Sequence, residues 1–148
     1  KGIIHRDLSF NNIFINIDKS TGKILGIQLI DLGLVYKRGF GIRHKLAMTP
    51  GFAPPESVNH VLKRVDNTYD LYSIGVIMYY ILTGRLPYKG SRLEDKTEEE
   101  DFIEPEDKDI PQEITNFIRK CVKYSSKERP RSIVEIKRFI YSKLKNNI

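Results

Sequence analysis

A single cysteine, Cys121, in a chain of 148 residues excludes an internal disulfide and fits a reducing compartment. Set among apolar residues at helical spacing, that thiol reads as packing rather than as a nucleophile. No apolar run approaches the about 20 residues that a bilayer-spanning helix needs; the most apolar stretch, Ser73 to Gly84, is too short. The opening residues Lys1 to Asp7 have charges after only two apolar side chains, which is not the pattern of a signal peptide. Zinc-ligand spacing, a basic recognition helix and interleaved aromatic and basic residues are all missing, so specific nucleic-acid binding has no support beyond bulk charge. The expectation is an intracellular protein, cytoplasmic or nuclear, without a membrane partner.

What the chain does have is the composition of one folded domain, 40% hydrophobic and 30% charged. Its net charge of +6 is unevenly spread. Ten of the 19 acidic residues lie between Glu94 and Asp109 together with only two lysines, leaving a strongly basic body elsewhere. Charges of this kind are read as solvated faces; an acidic flap that attracts basic substrates is the alternative.

Two short apolar runs, Ile13 to Ile17 and Ile24 to Ile30, flank a turn that contains Gly22, which predicts a β-hairpin. Residues 37 to 52 hold four glycines or prolines and four basic residues without periodicity, the signature of a long functional loop. From about Tyr69 to Thr83 the pattern is helical, and Leu71 to Leu82 is apolar almost all round, as for a helix in the middle of a core, with Gly84 as its stop. The acidic stretch 94 to 109 is expected to form a short surface helix and then a loop broken at Pro105. Pro111 opens a helix with Ile114, Phe117, Ile118, Cys121 and Val122 on one face. Ser132 and Glu135 have the spacing of a capping box for a last helix that buries Ile133, Ile136, Phe139, Ile140 and Leu144. The fold class is therefore α+β: a small hairpin region, a long loop, then helices.

Five motifs stand in a fixed order. His5-Arg6-Asp7-Leu8-Ser9-Phe10-Asn11-Asn12 matches H-R-D-L-x-x-x-N at every fixed position. Asp31-Leu32-Gly33 resembles D-F-G, and Thr49 to Glu56 resembles T-P-x-Y-x-A-P-E with Phe52 for Tyr and Pro54 for Ala. Asp70 to Val76 has the form D-x-x-S-x-G-V, and Arg129-Pro130 precedes the last helix. Together they make the chain resemble the protein kinase family over almost its whole length.

The residue types suit phosphoryl transfer, which needs positioning and charge neutralisation more than covalent help. The resemblance implies that Asp7 accepts the proton of the substrate hydroxyl, and that Asn12 and Asp31 supply the hard oxygen ligands that magnesium requires. It further implies that Thr49 positions the hydroxyl and that Phe14 lies under the adenine of ATP. His5, Leu32 and Asp70 are assigned to an internal spine and its anchor, with Asp70 bonding backbone near His5 and Arg6. Gly33 completes the magnesium loop, and Glu56 and Arg129 form a buried ion pair.

Three departures qualify the resemblance. Serine/threonine kinases carry Lys two residues after the catalytic Asp and tyrosine kinases carry Arg two or four after it; here those positions are Ser9 and Asn11. Between Gly33 and Thr49 the only hydroxyl is Tyr36, and Lys45 stands where a regulatory phosphothreonine would fall, so Arg6 would face cations and control by loop phosphorylation is not expected. No glycine-rich loop, Val-Ala-Ile-Lys strand or partner Glu helix occurs in the sequence, so the expectation is a C-terminal lobe fragment, 1–148, that needs an N-terminal lobe to grip ATP. The reading is ATP- and Mg2+-dependent phosphorylation of serine or threonine in protein substrates. Its alternative is a pseudokinase or scaffold without phosphotransfer, and a nucleic-acid-binding module is a distant third.

Overall fold

The computed structural model describes residues 2–37, 48–57, 65–88 and 102–145. Strand β1 (Ile3–Ile4) pairs antiparallel with β4 (Tyr36–Lys37), and β2 (Ile13–Ile17) pairs with β3 (Ile24–Leu29). Three helices follow: α1 (Thr68–Thr83), α2 (Gln112–Cys121) and α3 (Ile133–Lys145). Among the described residues this is an α+β arrangement of two small antiparallel sheets and three helices.

The hairpin forms where β-branched residues meet a turn that Asp18 closes. Its carbonyl accepts from the Gly22 amide at 2.8 Å, and its carboxylate accepts from the Ser20 amide and hydroxyl at 2.8 and 2.6 Å. Gly22 takes φ +69°, a conformation that costs other residues steric strain. Register places Ile13, Ile15 and Ile17 opposite Leu29, Ile27 and Ile24, so one face of the hairpin is wholly aliphatic.

Helix α1 organises the core by turning different stripes toward different partners. Tyr69 packs with Ile4 and Val65, and half-buried Tyr36 of β4 lies against them. Leu71, with Ile74 and Met78, faces Cys121 and Phe117 of α2 and Ile136 of α3. Tyr72 and Val76 join Val122, with Phe52, Leu86, Tyr88 and Phe102 around them. Gly75 sits between the last two stripes, and a Cβ built there would come within 2.6 Å of the Cys121 Cβ. Helices α1 and α2 therefore touch backbone to side chain, which only glycine permits. Gly84 ends α1 in the left-handed region, its amide donating to the Tyr80 carbonyl at 2.8 Å.

Three expectations need correction. The stretch from Leu71 to Leu82 is not buried all round: its last turns expose Tyr80, Ile81 and Leu82, because no described element covers that end. In α3 the core takes Ile136 and, in part, Phe139, which stacks on Phe117 at 3.9 Å, whereas Ile133 and Ile140 are exposed. Periodicity marks an apolar face without fixing how wide the partner surface is. The Glu135 carboxylate accepts from the Arg131 amide at 2.8 Å, one residue before the expected cap at Ser132. Residues 102 to 111 form the loop expected around Pro105, pinned where the Ile103 amide donates to the Pro87 carbonyl and the Tyr79 hydroxyl donates to the Ile103 carbonyl. Residues 94 to 101, where the short acidic helix is expected to begin, and Lys45 lie outside the described residues, as does the side chain of Leu144.

Candidate active site

The site starts at the end of β1. The His5 and Arg6 amides both donate to the Asp70 carboxylate in the first turn of α1, at 2.8 and 2.9 Å. This clamp holds Arg6 at φ +73°, a strained value for a side chain of that size. Burial pushes the Asp70 carboxyl up, and the two amide bonds pull against that shift. The turn so fixed presents Asp7 to the segment beyond.

Asp7 is gripped on both oxygens. Its Oδ1 accepts from the Thr49 amide at 2.9 Å and from the Thr49 hydroxyl at 2.7 Å. Its Oδ2 accepts from Asn12 Nδ2 at 2.8 Å, and the same nitrogen donates to the Asp7 carbonyl at 2.8 Å. A carboxylate offers about four acceptor positions; three are filled, which leaves one on Oδ2. Because both hydrogens of Asn12 Nδ2 face acceptors, the amide orientation is fixed and Asn12 Oδ1 is turned away from Asp7.

Asp31 follows β3, and the Ile30 amide beside it donates to the Asn12 carbonyl at 3.0 Å. The hairpin thereby returns the chain to the catalytic loop. Asp31 is the second non-glycine residue with positive φ, +57°, and its Oδ1 accepts from the Gly33 amide at 3.2 Å. The Asp31 side chain is exposed and its Oδ2 has no hydrogen bond within the described residues. Asn12 Oδ1 and Asp31 Oδ2 are the hard oxygen donors that suit magnesium, and two protein oxygens match its habit of keeping several waters. No group of three or more His, Cys, Asp or Glu side chains able to hold a metal occurs among the described residues.

Three positively charged or polar side chains lie buried behind the site. Arg6 is only 5% exposed; its Nη1 donates to the Leu34 carbonyl at 3.4 Å, while Nε and Nη2 have no partner among the described residues. The Tyr69 hydroxyl is buried near Ser57, and burial pushes that phenol up to about 12. His5 Nε2 lies 3.2 Å from the Ile30 carbonyl, which places the proton on Nε2 and leaves Nδ1 as a buried acceptor.

The remaining candidate residues fall as follows. Ser9 is 1% exposed, with its hydroxyl oxygen 3.4 Å from that of Thr49, so the position that carries Lys in serine/threonine kinases here holds a small buried side chain. Phe14 on β2 is exposed, and Leu32, expected in a spine, is 65% exposed. Glu56 and Arg129 meet through two 2.7 Å bonds. Glu106 and Glu104 pair with Arg85 and Arg119, so part of the acidic stretch is tied to the chain's own basic residues.

Sequence reasoning marked Phe52 only as a replacement for Tyr and did not single out Phe10 or Tyr80. Phe10 follows Ser9 directly, and its ring makes edge contacts with Phe52 at 5.5 Å and with Tyr80 at 5.1 Å. The signal available was an aromatic residue inside the catalytic loop.

The family model described as the protein kinase domain matches residues 1–141. Serine/threonine-protein kinase 33 of Bos taurus is 33% identical over 83% of this chain and 26% of its own length. Calcium-dependent protein kinase 5 of Plasmodium berghei is 34% identical across 100% of this chain and 27% of its own, and the serine/threonine-protein kinase PkaA of Streptomyces coelicolor is 27% identical over 87% and 24%. The chain thus spans about a quarter of the length of these relatives. Among the described residues no helix is long and apolar enough to cross a membrane. By motif order, by the family model and by these similarities, the chain belongs to the protein kinase family.

Proposed function

We propose that this chain is the large, C-terminal lobe of a serine/threonine protein kinase that transfers the γ-phosphate of ATP to hydroxyls of protein substrates. The observation that carries the reading is the state of Asp7: three of its acceptor positions are filled by Thr49 and Asn12, and one on Oδ2 is left for a substrate hydroxyl. The new bond joins the substrate oxygen to the γ-phosphorus as the bond to the ADP oxygen breaks, and Asp7 Oδ2 takes the hydroxyl proton. Fixing the carboxylate through Thr49 means that no reorganisation is needed when the hydroxyl arrives. Asn12 Oδ1 and Asp31 Oδ2 would hold magnesium, which when bound neutralises charge on the phosphate oxygens. Phe14, exposed on β2, is assigned to the floor under the adenine. The grip on the triphosphate falls to an N-terminal lobe, since this sequence contains no glycine-rich loop.

A second reading, a pseudokinase that binds without transferring phosphate, rests on Ser9, which puts no cation beside Asp7. The full-length protein with labelled ATP, magnesium and a generic protein substrate separates the two. The kinase reading expects label on serine or threonine that disappears in Asp7→Asn; ATP binding without any transfer would establish the pseudokinase instead.

A further inference from the structure

We propose that Ser9 is a positioning residue for phosphoryl transfer: its buried hydroxyl braces the Thr49 hydroxyl and, through it, the carboxylate of Asp7. The proposal deepens the phosphotransfer reading and rests on it for its kinetic consequence, while the bond itself is measurable without catalysis.

Ser9 is 1% exposed. A hydroxyl buried to that extent costs free energy unless it is hydrogen-bonded, whereas an alanine there would leave nothing polar to satisfy. The Ser9 side chain does not cap the turn Phe10–Asn12 that it precedes. Among the described residues its one hydrogen-bond partner is the Thr49 hydroxyl, 3.4 Å away and 40 positions on in the sequence.

The direction of the bond follows from a count of hydrogens. The Thr49 hydroxyl has one hydrogen and two acceptor positions. That hydrogen is committed to Asp7 Oδ1 at 2.7 Å, so toward Ser9 the Thr49 oxygen accepts and the Ser9 hydroxyl donates. Donation then runs one way from Ser9 through Thr49 to Asp7, the arrangement in which each hydrogen bond polarises the next. At 3.4 Å the first link is long, as catalytic hydrogen bonds often are before substrate binds.

Backbone contacts hold both ends of this link. The Ser9 carbonyl accepts from the Asn12 amide at 3.1 Å, and the Asn12 side chain in turn binds Asp7. The Thr49 carbonyl accepts from the Phe52 and Ala53 amides at 3.2 and 3.3 Å. With Ser9 in place, rotation of the Thr49 side chain breaks two bonds rather than one, which keeps Asp7 Oδ2 aimed at the incoming hydroxyl. Residue 9 therefore acts on the base and supplies no charge to the phosphoryl group.

A double-mutant cycle in the full-length protein, with ATP, magnesium and a generic protein substrate, tests the brace. Ser9→Ala should lower kcat roughly three- to tenfold, the equivalent of about one neutral hydrogen bond, with both KM values unchanged. In a Thr49→Val background, which has no acceptor oxygen, Ser9→Ala should add less than about a twofold loss. In a Thr49→Ser background, which keeps the oxygen, the full effect should return. A purely structural role for Ser9 would give the same loss in every background, and that result, or no loss in the parent, would overturn the proposal. Thermal melting verifies each variant. A second measurement needs neither catalysis nor a change at Ser9: NMR of carbon-labelled serine in an equal mixture of light and heavy water. A hydroxyl held in a hydrogen bond exchanges slowly and splits the resonance of its Cβ. The Ser9 Cβ, assigned from its chain neighbours, should be split in the parent and in Thr49→Ser but single in Thr49→Val. A single line in the parent, or a split that survives Thr49→Val, would overturn the brace. Absence of transfer by the parent would end the kinase reading, while the splitting still decides whether Ser9 holds Thr49.

Discussion

Arg129 and Glu56 form a bidentate pair in which every N–H of the guanidinium is used. Nη1 and Nη2 reach the two Glu56 oxygens at 2.7 Å each, and the other donors meet the carbonyls of Lys123, Tyr124 and Thr68. The guanidinium also lies 4.8 Å from the centre of the Tyr72 ring. Residues 73 positions apart are thereby joined, and the segment after Thr49 is locked to the helical core.

The Arg129 side chain is fully buried while that of Glu56 is 30% exposed, so the pair is asymmetric. Arg129→Ala strips the hydrogen bonds from three carbonyls and a carboxylate, and should cost about 3–5 kcal/mol. Lys127→Ala, at an exposed site two residues away, should change stability by no more than about 0.5 kcal/mol. Urea midpoints of the two variants check this, and equal midpoints would remove the structural role of the pair.

Gly75 gives a second stability test. An alanine Cβ there would meet Cys121 Cβ at 2.6 Å and Val122 Cγ1 at 2.9 Å. Overpacking typically costs about 1–3 kcal/mol, which outweighs the roughly 1 kcal/mol that alanine gains over glycine within a helix. Gly26→Ala, with nothing within 4 Å, is the control and should stay within about 0.5 kcal/mol of the parent. Thermal melts that rank the two variants equal would mean that α1 and α2 do not touch at Gly75.

Such close approaches show where the sequence was readable and where it was not. The loop His5 to Asn12, the hairpin and α1 were legible because motif spacing, β-branched runs and helical periodicity are local signals. The positive φ of Arg6 and Asp31 was not, since each depends on a partner brought from elsewhere: Asp70 for Arg6 and the turn to Gly33 for Asp31. Exposure of Tyr80, Ile81, Leu82, Ile133 and Ile140 was illegible for the same reason. An apolar stripe shows that a residue can be buried, and only the neighbours decide whether it is.

Cys121 should be chemically silent in the folded protein. It packs between Leu71 and Ile136, and burial pushes its thiol up to about 12. The thiolate is the reactive form, so labelling by iodoacetamide at neutral pH should occur only through unfolding and should rise sharply across the urea transition. Rapid stoichiometric labelling without denaturant would contradict the packing of α1 on α2 and α3.

Asp18 offers a test by pH. The Ser20 hydroxyl and amide hold its carboxyl at about 2, below the ordinary 3.8. A carboxyl lowered on folding stabilises the turn in its ionised form; that contribution is present above about pH 3.8 and is lost as pH falls through about 2. Carbonyl NMR should report the low midpoint, and Ser20→Ala should move it up toward 3.8. An unchanged midpoint would show that Ser20 does not hold the charge.

Thr49 separates positioning from plain loop structure. Its hydroxyl donates to Asp7 Oδ1 at 2.7 Å, and its amide reaches the same oxygen at 2.9 Å. Thr49→Val keeps the shape and the amide bond but removes the hydroxyl, so Asp7 retains one of the two contacts on that oxygen. The carboxylate then gains freedom to swing, and the proton-accepting position on Oδ2 is less well aimed. General-base positioning contributes typically about 10²–10⁴-fold, and partial loss of it should lower kcat by roughly 10–100-fold in the full-length protein. KM for ATP should not move, because the hydroxyl touches no residue assigned to the nucleotide. Thr49→Ser restores the donor and should recover most of the rate, which a purely steric role for the methyl group would not allow. Asp7→Asn marks the floor of the assay. If Thr49→Val and Thr49→Ser lose rate equally while melting normally, the hydroxyl is not what holds Asp7.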